Sequence, residues 1–193
     1  DRFSVCVLSR VDGVISRIST TINDADATHF DVTGSILLPG LVDLHTHLRQ
    51  PGREDAETVM SGSKAGAKGG FTALSAMANT SPVADNAGVV EQVYRLGQEA
   101  GLLDVFPIGA VTQDLKGEAL SEIGAMADSI ARVRVFSDDG NCVFDPLVMR
   151  RALEYIKKFG GVIAQHAQEP RLTVGSQMNE GEVSSTLGLK CWP

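Results

Sequence analysis

The chain has four histidines, and two of them, His45 and His47, stand two positions apart in "PGLVDLHTHLRQPG", where an apolar run ends. Side chains at i and i+2 of a strand point to one face, so two imidazoles at a strand end can grip one ion. His166 closes "VIAQH", and Asp139 follows "VRVF" in "SDDG". Neutral imidazole and carboxylate suit Zn²⁺, and the two oxygens of a carboxylate can bridge two ions. Such a pair of ions holds water as hydroxide near neutral pH and polarises a carbonyl, which are the two requirements of amide hydrolysis. Each residue also has a plainer reading. A lone strand-end histidine is more often hydrogen-bonded structure than a ligand, and "SDDG" is ordinarily a turn in which Asp138 or Asp139 bonds its own backbone and Gly140 supplies a positive φ. His29, in "DATHFDV", lies outside the pattern and is assigned no role.

The elements that must carry these residues recur at a steady interval. Apolar stretches at 41–45, 71–77, 104–111, 133–137 and 162–166 read as strands whose starts are 30, 33, 29 and 29 residues apart. One strand, one crossover helix and two loops need about that length, and near-continuous apolar strands are those of a covered parallel sheet. Asp145-Pro146 opens a helix with an N-cap acid and a proline at the first helical position; Lys157 and Lys158 fall in its last turn and Gly160 stops it. Asp85 is expected to cap a helix ending at Gly101, and a third helix is expected from Glu57 to Lys68, stopped by Gly69-Gly70. Five such units fit either a doubly wound sheet or part of a (β/α)₈ barrel. The first strand lacks a following G-x-G-x-x-G and ends in His-x-His, which favours the barrel. His45, His47, Asp139 and His166 then all fall on the rim at the carboxyl ends of strands, where such barrels keep their sites. A full barrel takes about 250 residues, so about five of eight units are expected over 39–193. Residues 1–38 are expected to form part of a small β layer, a β-sandwich portion, with a turn at Asp12-Gly13 and a short strand in "FDVTGSILLP".

Composition excludes several classes. Hydrophobic residues make up 43% and charged ones 21%, which fits a soluble globular protein rather than a disordered one. The net charge of −7, without a Lys/Arg cluster, argues against nucleic acid or an anionic membrane as partner. No apolar run approaches the roughly 20 residues that cross a bilayer. "DRFSVCVLSR" is too polar for a signal peptide, and the absence of an initiator Met predicts that the start lies upstream. Cys6, Cys142 and Cys191 form no C-x-x-C pair; a reducing cytoplasm is expected, with each cysteine a small buried hydrophobe.

"LPGLVDLHTHLRQPGREDAETVMSGSKAGAKGGFTAL", "MANTSPVADN", "VFSDDG", "AQHAQEP" and "MNEGEVSSTLGL" resemble, in order, the motifs of the bacterial class I dihydroorotases of the amidohydrolase superfamily, over roughly residues 37–193. The resemblance implies a binuclear zinc site in a (β/α)₈ barrel and reversible interconversion of L-dihydroorotate and N-carbamoyl-L-aspartate in pyrimidine synthesis. It implies that His45 and His47 bind the more buried zinc, Asp139 bridges both ions, and His166 binds the other. It also implies that Arg49 and Asn79 hold the substrate carboxylate, a role that suits a fork-shaped guanidinium and an amide donor. Without the motif, Arg49 reads as a surface salt bridge and Asn79 as a loop cap. Asp138 is expected to be structural or to support the ligands, Gly52 and Arg53 to lie in the loop after the first strand, and "NEGEVSS" to be a rim segment. The family's general-acid aspartate and its remaining zinc histidine fall beyond residue 193, so this stretch alone is expected to be inactive and to leave a sheet edge open. Two departures from the pattern are Cys191 in place of glycine and Ala78 in place of proline, the second expected to loosen the loop that presents Asn79.

Two rival readings use the same residues. Another cyclic amidohydrolase, of the hydantoinase or allantoinase kind, usually carries a bridging carboxylated lysine, and no lysine lies in "RVRVFSDDG". A non-catalytic dihydroorotase-like scaffold for aspartate transcarbamoylase would tend to lose the four candidate ligands. The candidate partners beyond the small-molecule substrate are a second copy of the chain, as a homodimer, and aspartate transcarbamoylase.

Overall fold

The computed structural model describes residues 7–11 and 13–193, which divide into two compact units, Asp1–Leu38 and Pro39–Pro193. In the first unit β1 (Val7–Val11) pairs antiparallel with β2 (Val14–Ser19), with Val11 opposite Val14 and an irregularity between Ser9 and Arg10. Gly13 takes a φ of +80° there, whereas Asp12 and Cys6 lie outside the described residues. The strand expected in "FDVTGSILLP" does not form. A turn closed by Ser35 N–H donating to Val32 O, with Gly34 at a φ of +84°, breaks the run, and Ile36, Leu37 and Leu38 are exposed. Their apolar character alone suggested a strand; no strand pairs with them among the described residues.

In the second unit β3 (Leu41–Thr46), β4 (Phe71–Ala76) and β5 (Asp104–Pro107) form a parallel sheet in that order. β6 (Val135–Phe136) and β7 (Val162–Ile163) form a second parallel pair, linked toward the first sheet by a parallel bridge between Gly109 and Phe136. The chain is therefore a mixed α/β protein with parallel sheets. The last three expected strands are shorter than their apolar runs. Ile108, Ala110 and Val111 are buried past the end of β5; Ile108 N–H still donates to Ala76 O of β4, and the backbone then leaves the ladder, with Ala110 N–H donating to Ala84 O and Val111 N–H to Asp138. β3 and β7 end the two sheets without a further neighbour among the described residues, and Leu41, Val42 and Leu44 on β3 and Val162 on β7 are exposed.

The helices start and stop for local reasons. α1 (Val59–Lys68) begins two residues later than expected because Thr58 caps it, its hydroxyl accepting from Ser61 N–H. α2 (Ala87–Ala100) is capped by Asn86 rather than Asp85 and ends at Gly101 in the left-handed conformation. Asp85 is engaged elsewhere, its two oxygens accepting from Asn86 Nδ2 and from Asp114 N–H. α4 (Pro146–Ile156) has the expected Asp145 cap, accepting from Leu147 and Val148 N–H, and runs through one 3₁₀ turn to Gly160. Between them the structure adds α3 (Ile123–Asp128), which buries Ile123 and Met126 in a core shared with Val90, Val111, Val133 and Phe136. Beyond β7 follow α5 (Pro170–Thr173), β8 (Met178–Asn179), α6 (Glu182–Leu187) and β9 (Cys191–Trp192), with β8 and β9 parallel. "NEGEVSS" thus runs from β8 into α6. Cys142 and Cys191 are half-buried rather than the fully buried hydrophobes expected. Among the described residues no helix is long and apolar enough to cross a membrane.

Candidate functional site

β3 delivers the histidine pair. Thr46, between them, turns the other way: its hydroxyl donates to Ser75 O at 2.8 Å and its carbonyl accepts from Met77 N–H at 2.9 Å, fixing the strand end to β4. His45 and His47 therefore share a face, with ring centroids 5.1 Å apart.

β6 delivers the carboxylate. In the "SDDG" turn Asp138 O accepts from Asn141 N–H and Gly140 takes a φ of +90°, so the turn chemistry is present. The two aspartates of that turn diverge. Asp138 is buried, and its carboxylate accepts from Val111 N–H, Thr112 N–H and the Thr112 hydroxyl. Burial pushes its carboxyl above the ordinary value, against these three hydrogen bonds. Asp139 faces the histidines instead. Its Oδ2 lies 3.3 Å from His45 Nε2 and 3.5 Å from His47 Nε2, and its Oδ1 lies 3.5 Å from His166 Nδ1. Asp139 is 14% exposed at the side chain, against 53% for His45, 29% for His47 and 34% for His166. His166 stands three residues past β7, on a segment tied to the loop after β6 by its neighbour Gln165, which exchanges hydrogen bonds with the Val143 backbone.

These separations can be tested against an ion. Charge-assisted N–H···O bonds prefer about 2.7–2.9 Å. Zinc bonds of about 2.0–2.1 Å set at tetrahedral angles put neighbouring donor atoms about 3.3–3.4 Å apart. The observed 3.3–3.5 Å fits the second spacing better. His45, His47 and Asp139 each offer a ligand atom within 4.8 Å of the others, and the donor set of imidazole and carboxylate is one zinc accepts.

The other two expected residues border this cluster. Asn79 lies in the loop after β4, its Oδ1 3.0 Å from His47 Nδ1. Ala78 in that loop is buried, and its carbonyl accepts from both Thr80 and Ala84 N–H. Arg49 adopts a φ of +58°, a left-handed conformation that costs a non-glycine residue on the order of 1 kcal/mol. Among the described residues its guanidinium has no hydrogen-bond or ion-pair partner. That differs from the surface salt bridge the residue type alone suggests. Gly52 and Arg53 do lie in the loop after β3, with Arg53 paired to Asp55. His29 bonds the Asp24 carbonyl in the first unit. Gln168, whose Oε1 is 3.2 Å from His166 Nε2, was not singled out in the sequence; its one signal is a position two residues past a candidate ligand.

Parallel strands in an α/β fold thus gather three imidazoles around one carboxylate, His45 in the last residues of β3 and His47, Asp139 and His166 just past the carboxyl ends of β3, β6 and β7, which is the class of arrangement found in barrel hydrolases. A profile of the dihydro-orotase-like family matches residues 34–193, and the chain belongs to that family. It is 66% identical to a dihydroorotase of Leifsonia xyli over 181 residues, 94% of this chain and 41% of that protein. Against dihydroorotases of Streptomyces coelicolor and Mycobacterium tuberculosis the identities are 63% and 56%, over 95% and 94% of this chain and 43% of each relative. The chain spans about two fifths of the length of these relatives.

Proposed function

We propose that the full-length protein is a zinc-dependent dihydroorotase, a cyclic amidohydrolase that interconverts L-dihydroorotate and N-carbamoyl-L-aspartate in pyrimidine synthesis in the cytoplasm. The observation that carries the reading is the division of Asp139: one oxygen faces the His45–His47 pair and the other faces His166. A single carboxylate so placed can serve two ions. His45, His47 and Asp139 would hold one zinc, Asp139 and His166 the other, within a (β/α)₈ barrel of which this chain supplies about five units, alongside part of a β-sandwich in residues 1–38. The names of the relatives support the same activity.

When bound, the ions supply Lewis acidity that polarises an amide carbonyl and lowers the pKa of an attacking water. The chain's own side chains do the rest of what this part of the protein contributes. Arg49, free of any ion pair among the described residues, binds a substrate carboxylate through its planar fork. Asn79 turns its Oδ1 to His47, so only its Nδ2 is left to meet the substrate, and that nitrogen can only donate; it therefore accepts a carboxylate as partner. The loop from Arg49 to Arg53 is held to the Asn79 loop by Ser81 N–H donating to Pro51 O at 3.0 Å. By the family resemblance, the proton for the leaving nitrogen would come from an aspartate of the full-length protein beyond residue 193.

Zinc per chain and dihydroorotate hydrolysis, measured on the full-length protein and on Asp139→Ala, test the reading. About two zincs and activity in the parent, with both lost in the variant, are expected. A metal-free, inactive parent that binds aspartate transcarbamoylase would instead identify a scaffold.

A further inference from the structure

We propose that two side-chain amides, Asn79 and Gln168, set opposite tautomers in the two half-buried histidines. Asn79 Oδ1 takes the Nδ1 proton of His47 at 3.0 Å and leaves Nε2 bare toward Asp139 Oδ2; Gln168 Oε1 takes the Nε2 proton of His166 at 3.2 Å and leaves Nδ1 bare toward Asp139 Oδ1.

Neutral imidazole carries one proton on one of two nitrogens, and only the bare nitrogen can ligate an ion. On both rings the amide contact is the short one and the carboxylate contact, at 3.5 Å, is too long for a good N–H···O bond. The proton therefore sits on the amide side. An amide oxygen accepts and cannot donate, so the assignment turns on which end of each amide faces its ring. Gln168 is oriented by its other end, since its Nε2 donates to Thr173 Oγ1 at 3.4 Å and so turns Oε1 to His166. Asn79 presents Oδ1 to His47 Nδ1 at 3.0 Å and has no second side-chain hydrogen bond among the described residues. His45 differs: its ring meets Asp139 and His47 but no amide among the described residues. The chain thus uses different nitrogens of two histidines around one carboxylate, with a separate neutral acceptor choosing each. Because an amide is uncharged, it fixes the proton without adding negative charge to a site that already holds Asp139.

The inference rests on the zinc reading for its purpose but not for its test. Two-bond ¹H–¹⁵N correlation spectra of the metal-free, ¹⁵N-labelled full-length protein, at about pH 8.5 where imidazole is neutral, report each tautomer directly. His47 is expected as Nδ1–H and His166 as Nε2–H. Asn79→Ala should release only His47, and Gln168→Ala only His166. Each alanine variant should weaken zinc binding about 10- to 100-fold, the usual effect of removing such a support. Asn79→Asp and Gln168→Glu keep an acceptor oxygen and should restore the parent tautomer; for Asn79→Asp substrate KM should stay high, because the donor has gone. The same tautomer in both rings of the parent, or tautomers indifferent to the alanine changes, would overturn the assignment. Opposite tautomers in a parent that takes up no zinc would uphold it and dismiss the zinc reading instead.

Discussion

Asp138 reaches Thr112, 26 positions earlier in the chain, accepting from both its backbone N–H, at 3.0 Å, and its hydroxyl. With Val111 N–H added at 2.7 Å, one buried carboxylate holds the segment that leaves β5 against the turn that presents Asp139. Asp138→Ala leaves two backbone N–H groups without an acceptor, each costing about 1–3 kcal/mol. We expect a loss of about 3 kcal/mol in urea unfolding of the full-length protein, and a smaller loss for Asp138→Asn, which keeps one acceptor oxygen.

Arg49→Lys keeps the charge and removes the fork. KM for dihydroorotate should rise about tenfold or more while kcat changes far less, since a carboxylate remote from the reacting amide is held in both ground and transition states. Steady-state kinetics separate the two parameters; a fall confined to kcat would show that Arg49 is doing something else.

Removing metal should destabilise as well as inactivate. A ligand at 100 times its Kd stabilises the folded state by about 2.7 kcal/mol. Thermal melting with a chelator and then with added zinc should show a lower Tm that recovers, and Asp139→Ala should melt at one temperature under both conditions.

Gly52 has a φ of +102°, and a Cβ there would run into the Ser81 carbonyl. Gly52→Ala should push the Arg49 loop away from the Asn79 loop. The expected result is a raised KM with an unchanged far-UV circular dichroism spectrum.

Much of this was legible because burial writes itself into composition. Strands of a parallel sheet are runs of apolar residues, so β3 and β4 could be placed to within a residue or two, β4 buried along most of its length and β3 with Leu41, Val42 and Leu44 exposed, and the ligand candidates followed from their positions. Where two neighbours can do one job, the choice was not legible. Asp85 and Asn86 are both good caps, and only the fold shows that Asp85 is occupied by Asp114 N–H. α3 was hidden because its apolar face is short and holds Gly124, which packs against Tyr155. Gln168 was hidden for a chemical reason: an uncharged amide signals neither ligand nor acid, and its part depends on an orientation set by Thr173.

His45 and His47 come from β3, and the carboxylate they face lies more than ninety positions later, after three further strands. At about 5–20 residues per second of synthesis, several seconds separate the two on the ribosome. Through that interval the nascent chain carries two neighbouring imidazoles with no carboxylate to close the set, so the proposed ligand set is complete only after long-range chain closure.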